Sequence, residues 1–352
     1  MFDFSKKIPS LDGIRAFAVL LVLISHAGYG YIVPGGFGVT LFFFLSGYLI
    51  TFLLLKEFTS HGRISKSNFF MRRSLRILPP LFLVLLIFYS LDYLFLNSFP
   101  YDFLGVCSQL LFFHNYYEIF VDGDVLSGTG VLWSLAVEEH YYALFPFVFT
   151  LIFSLDNRAP DKLFLWLLVF LVFLVFLWRC YLYFELSITG DRIYFSTDTR
   201  VDSILFGAIF SVLFYKKRID GRSILCLRDY LFLFVALTMV LASFLVREDA
   251  FRWTLRFTVQ GLALIIFFYY AIFYSTNPIF RIFNWPPIQV IGVLSYTIYL
   301  VHAIFLYFLK EYMAMEDGIL LALCSFLLSF FLAFAMYIWV EKPFAAIKTK
   351  FN

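Results

Sequence analysis

Charged residues are scarce in this chain. Lys and Arg number 27 and Asp and Glu 24 among 352 residues, or 14%, where a soluble domain carries about 25%. That shortage excludes an ordinary water-soluble fold. Cysteine is nearly as sparse: Cys107, Cys180, Cys226 and Cys324 stand singly, without the spacing of a disulfide framework or a metal site, so neither is expected. The first apolar run has no small-residue cleavage site behind it, so it reads as a retained span and not as a signal peptide. No internal repeat is visible, which weakens an inverted-repeat transporter reading. The net charge of +3 says little as a total, and no nucleic-acid partner is expected.

What the chain does have is hydrocarbon. It is 62% hydrophobic, with 50 Phe and 23 Tyr, residues that lipid-facing and interfacial positions accept readily. Several stretches of roughly 18 or more apolar residues can span a hydrocarbon core of about 30 Å. Candidate spans fall at about 13–32, 36–55, 77–96, 103–120, 133–154, 163–184, 201–215, 230–247, 257–275, 288–308 and 318–340. Spans and short connections fill the length, predicting one membrane-embedded domain over 1–352 with no room for a soluble one.

Charge bias shows that one candidate is surplus. The segment 56–76 holds Lys56, Arg63, Lys66, Arg72, Arg73 and Arg76, and 216–228 holds Lys216, Lys217, Arg218, Arg222 and Arg228. The positive-inside rule puts both in the cytoplasm, so an even number of crossings separates them. The run 103–120 contains Gln109, His114, Asn115 and Glu118 and is the least apolar. Demoting it to a re-entrant or surface helix predicts an all-α polytopic bundle of about ten spans with both termini cytoplasmic. The segments 97–132, 185–200, 248–256 and 309–317 then face outward.

Within the first run stand Asp12, Arg15 and His26. An α-helix turns about 100° per residue, so eleven residues return His26 to within about 20° of the Arg15 face, about 16 Å further along. An ionisable group at bilayer depth costs about 2.5–3.5 kcal/mol and usually marks a site. A lone His on an apolar face is often a satisfied core group; sharing a stripe with Arg15 and Asp12 favours function, and its ordinary pKa suits proton abstraction near neutral pH. His302 is a second such group in the outer half of a late span. His61 reads as solvated, and His114 and His140 as interfacial. Arg73 and Arg76, three apart, share a helical face, and guanidinium forks suit phosphate oxygens; orienting the helix end is the competing reading. In Leu132-Trp133-Ser134-Leu135-Ala136-Val137-Glu138-Glu139, Ser134 and Glu138 share a face. Glu138 either orients a histidine or acceptor hydroxyl, or complements the helix dipole. For Arg200 and Asp202 a structural ion pair is the favoured reading.

Taken together the stretches resemble the acyltransferase-3 family of integral membrane proteins, which modify cell-surface and exported carbohydrates. The resemblance runs nearly end to end. It rests on Leu11-Asp12-Gly13-Ile14-Arg15 with His26, Leu41 through Tyr48, Arg73-Ser74-Leu75-Arg76, Trp133-Ser134-Leu135 with Glu138 and Glu139, Arg200-Val201-Asp202, Leu294-Ser295-Tyr296 with Tyr299 and His302, and Glu341-Lys342-Pro343. Ala16 stands where glycine is common, and His140 where glutamine is expected.

The resemblance implies about ten spans and a bacterial-type inner or plasma membrane. It implies acyl-CoA, with acetyl as the acyl group, as a donor on the cytoplasmic side, and a carbohydrate hydroxyl reached from the outer side. It also implies the short, stand-alone form of the family. His26 would be the essential histidine of an Arg-x10-His pattern with Arg15. Arg73 and Arg76 would hold the CoA phosphates. Trp133, Ser134 and Glu138 match a Trp-Ser-Leu-x-x-Glu element, with Asp12, Glu139, Arg200, Asp202, Tyr296 and His302 in supporting or substrate-binding places. The expected mechanism has His26 as general base on the acceptor and Glu138 orienting the histidine or the sugar; a covalent acyl-histidine is the variant. The competing class is a proton-coupled transporter or flippase using His26, Glu138 and His302 as a relay.

Overall fold

The computed structural model describes residues 8–96, 100–155, 160–217, 219 and 222–351; Arg218, one of the basic residues named above, lies outside them. Helices follow one another without a strand among the described residues. The first three are α1 (Leu11–Ile24), α2 (Gly35–His61) and α3 (Lys66–Leu91). The short pair α4 (Phe103–Leu110) and α5 (His114–Phe120) precedes the long helices α6 (Trp133–Leu155) and α7 (Pro160–Phe184). After a single turn, α8 (Asp191–Phe195), come α9 (Thr197–Phe214), α10 (Leu227–Leu245) and α11 (Arg256–Phe273). The chain closes with α12 (Pro278–Arg281), α13 (Pro286–Glu311), α14 (Ile319–Met336) and α15 (Lys342–Lys348).

Eight helical stretches, those built on α1, α2, α3, α7, α10, α11, α13 and α14, are long and apolar enough to cross a membrane. The chain is a multi-pass integral membrane protein. The other two expected spans fall on α6 and α9, which are not among the eight; they carry Glu138-Glu139-His140 and Asp198, Arg200 and Asp202 in their first turns. Residues 103–120 form no crossing. There α4, capped by the Asp102 carboxylate at Leu104 N–H (3.1 Å), stops at Leu110, and Phe112 turns the chain with φ 61° before α5. His114 is buried between α4 and α5, with Nδ1 2.8 Å from Ser108 Oγ and Nε2 3.0 Å from Glu118.

The chain divides into two compact bodies. One gathers the described residues of 1–18, 36–64 and 137–292; the other holds 19–35, 65–136 and 293–352. In the first body α2 and α9 cross backbone to backbone. A Cβ on Gly47 would stand 1.8 Å from the Ile204 carbonyl oxygen, and one on Gly207 1.9 Å from that of Phe44. Small residues permit this approach, and close van der Waals contact is what holds helices together in lipid. Phe44 then packs on Phe268 of α11 with ring centroids 4.4 Å apart.

In the second body α3 opens on Ser65, whose hydroxyl accepts from Asn68 N–H (3.3 Å), a regular N-cap. Pro79 and Pro80 lie inside α3 and leave two carbonyls of the preceding turn without their usual donors. The Tyr296 hydroxyl of α13 donates to the neighbouring Ile77 carbonyl at 2.9 Å.

Candidate active site

The α-helical geometry of α1 ends at Ile24, two residues before His26. The chain then opens into a wide turn over Ser25–Tyr29, with Gly28 at φ 99°, a conformation that favours glycine. A Cβ on Gly28 would also strike the side chain of Asp317 at 2.5 Å, and the Asp317 carboxylate pairs with Lys310 at the end of α13. Within Ser25–Tyr29 the backbone angles leave the helical region only at Ala27 and Gly28, so the register carried forward from Arg15 holds to His26 and the chain breaks away immediately after it.

His26, the last residue before the break, meets a second imidazole. His26 Nδ1 lies 3.0 Å from His302 Nε2, and the rings are nearly coplanar and edge to edge, with centroids 5.1 Å apart and planes 9° apart. His302 is fully buried, and its Nδ1 lies 2.8 Å from the Tyr299 carbonyl oxygen. A carbonyl only accepts, so Nδ1 of His302 carries the hydrogen. In the neutral ring Nε2 of His302 is then an acceptor, and Nδ1 of His26 must donate to it. The hydrogen of neutral His26 is thereby assigned to Nδ1, leaving a lone pair on Nε2. His26 is itself exposed, and no hydrogen-bond partner meets its Nε2 among the described residues. The arrangement presents a basic nitrogen of fixed orientation.

Tyr299 extends the chain of contacts. Its hydroxyl is 2.8 Å from Ser134 Oγ, and both hydroxyls share the Val131 carbonyl, at 3.1 and 3.2 Å. The start of α6 is thus tied to the helix that carries His302. Trp133, beside Ser134, is buried. Further back along α13, Thr297 donates to Glu341 at 2.6 Å, and Arg76 lies within electrostatic reach of that carboxylate. Arg72 donates to the Phe351 carbonyl at 2.6 Å, fixing the end of the chain on α3, with Arg73 and Arg76 on neighbouring positions. Thr297 and His302 are five residues apart on one helix, about 7.5 Å. One element therefore carries both the contact to Glu341 and His302 of the imidazole pair.

The first body holds the remaining predicted residues. Arg15 pairs with Asp12 at 2.9 Å. Glu138 accepts from Tyr142 at 2.7 Å, and His140 meets Thr197 at 2.7 Å. In the second body the imidazole of His26 is oriented by His302. The expected Arg200–Asp202 pair is replaced by another. Asp202 binds Arg179 of α7 at 2.8 Å, both fully buried, because residues two apart on a helix point to opposite sides. Arg179 also donates to the Thr254 and Thr199 carbonyls and to Thr258 Oγ1 at 2.9, 2.6 and 2.7 Å. Arg200 sits among aromatics, its guanidinium carbon 3.8 Å from the Phe257 ring centroid and 5.0 Å from that of Tyr194, and donates to Thr40 Oγ1 at 3.2 Å. Sequence reasoning missed Arg179. A single arginine inside the apolar run 163–184 was the available signal.

The fold is that of a multi-pass helical membrane protein, and its second body holds a paired imidazole. A family model described as an acyltransferase domain, that of the acyltransferase-3 family, matches residues 8–338, and the chain belongs to that family. It is 29% identical over 358 aligned residues to a protein of Staphylococcus aureus strain COL carrying a provisional O-acetyltransferase name. It is 28% identical over 347 to O-acetyltransferase OatA of S. aureus strain NCTC 8325 / PS 47. Each alignment covers 96% of this chain and 57% of the relative, so the chain spans little more than half the length of the curated relatives it matches. No solved structure matches it.

Proposed function

We propose that this chain transfers an acetyl group from cytoplasmic acetyl-CoA to a hydroxyl of an extracytoplasmic carbohydrate. The family supports acyl transfer, and the names of the relatives support acetyl as the acyl group. The observation that carries the reading is the imidazole pair, with a hydrogen on Nδ1 of His26 and a lone pair on its Nε2. His26 Nε2 takes the proton of the acceptor hydroxyl as its oxygen attacks the thioester carbonyl. The tetrahedral intermediate collapses with cleavage of the C–S bond, and the leaving thiolate takes the proton back from Nε2. Nδ1–H stays on His302 throughout, so the ring keeps its place while it becomes an imidazolium. The phosphates of CoA would lie on Arg73 and Arg76, bidentate contacts for which guanidinium is suited. For Glu138, Arg15 and Asp12 the proposal rests on the motifs alone.

The test uses the purified full chain with labelled acetyl-CoA. His26→Ala should lower transfer by about 10²-fold or more, within the range of general base catalysis, and leave the affinity for CoA nearly unchanged. Arg73→Ala with Arg76→Ala should weaken CoA binding tenfold or more, since a hydrogen bond to a charged group is worth about 1.5–3 kcal/mol. Unchanged CoA affinity in that double variant removes the phosphate assignment. A label retained on His26 with donor alone replaces direct transfer with an acyl-enzyme.

A further inference from the structure

The basic run 216–228 served above only to orient the chain, but in the first body it borders a cavity of about 440 Å3 where α9 ends, α10 begins and α11 ends. Three exposed cations, Lys217, Arg222 and Arg228, stand at its mouth. Among the described lining residues they face one carboxylate, Asp229, which is already bonded to Cys226 N–H (2.9 Å), Cys226 Sγ (3.1 Å) and Tyr270 OH (3.0 Å). Lys217 is held in place: it donates to the Tyr269 hydroxyl, and its ammonium lies 4.3 Å from that ring's centroid. Cations exceed anions, and the N-terminus of α10 adds its positive dipole end. The mouth is built for negative charge.

One helical turn away, about 5.4 Å, the lining becomes hydrocarbon. Ile265 and Ile266 precede Tyr269 and Tyr270 on α11 by four residues, and Phe232 follows Arg228 by four on α10. Phe232 is 47% exposed, and Leu231, Phe234 and Val235 beside it are exposed as well. This wall therefore continues into the apolar side of α10. The volume falls within the usual range of small-molecule sites, about 300–1,000 Å3, and suits a headgroup with the first carbons attached to it. A soluble phosphate compound would use the mouth but not the wall; an amphiphile uses both. We propose that this cavity binds the phosphodiester headgroup of an anionic phospholipid, with its acyl chains laid along α10.

The experiment delipidates the full chain in neutral detergent, titrates it with phosphatidylglycerol or phosphatidylcholine, and reads bound lipid by native mass spectrometry. Phosphatidylglycerol should bind in preference. The variant K217Q/R222Q/R228Q should lose on the order of a hundredfold in that affinity, since each cation near an anionic headgroup is worth roughly fivefold. Ile266→Trp fills the apolar part without altering charge and should also reduce binding; it carries the test where the triple variant does not fold. Equal binding of the two lipids, or full retention by the variants, overturns the proposal. Displacement of phosphatidylglycerol by millimolar inorganic phosphate or CoA overturns it as well, by assigning the cavity to a soluble phosphate.

Discussion

With His302 changed to Leu, the Nδ1–H of His26 loses its acceptor, and the neutral ring can hold its hydrogen on Nε2 instead. A base with its proton on the wrong nitrogen cannot act. We expect kcat to fall about 10²-fold, the lower end of what a general base contributes, with the KM for the donor little changed. His302→Gln restores an amide oxygen as acceptor and should recover most of the rate; equal losses in the Leu and Gln variants would show that His302 only fills space. Both histidines were legible in the sequence as ionisable groups inside apolar runs. Their pairing was not, because they are 276 residues apart and no period connects them.

At the scale of elements, α7 and α9 are joined by the buried Arg179–Asp202 pair. Arg179→Met strips the countercharge from a fully buried carboxylate, a loss of about 3–5 kcal/mol in comparable sites. The melting temperature in detergent should drop clearly, and Asp202→Leu in the same chain should recover much of it. A double variant no more stable than the single one would show that Arg179 acts through Thr199, Thr254 and Thr258 instead. The sequence suggested an ion pair at Asp202 but placed the partner on the same helix, where the geometry of 3.6 residues per turn prevents it. The break in α1 was likewise passed over. Gly28-Tyr29-Gly30 is a turn signal, yet the apolar pattern runs through it, and the span was drawn to residue 32.

For the whole molecule, hydropathy and the placement of Lys and Arg were enough to find ten long helices and to reject 103–120 as a crossing. They could not distinguish α6 and α9 as the charged members of the set, since burial inside a bundle depends on neighbours remote in sequence. The inward placing of the basic segments is open to a direct check. In a chain whose other cysteines are replaced, Cys226, which is exposed, and a cysteine at Arg63 should react with an impermeant maleimide only after the cells are permeabilised. A cysteine at Glu185 should react on intact cells. Labelling of the Arg63 position from outside would place the donor on the wrong side and end the proposed reaction. The row of contacts from His26 through His302 stops at an amide oxygen, that of Tyr299, and an amide oxygen cannot accept a proton and pass it on. Along this row a proton can be lent and reclaimed at one nitrogen but not conducted onward. Acyl groups could thus change hands within the bilayer while that route remained closed to protons and the cell's electrochemical gradient stayed intact.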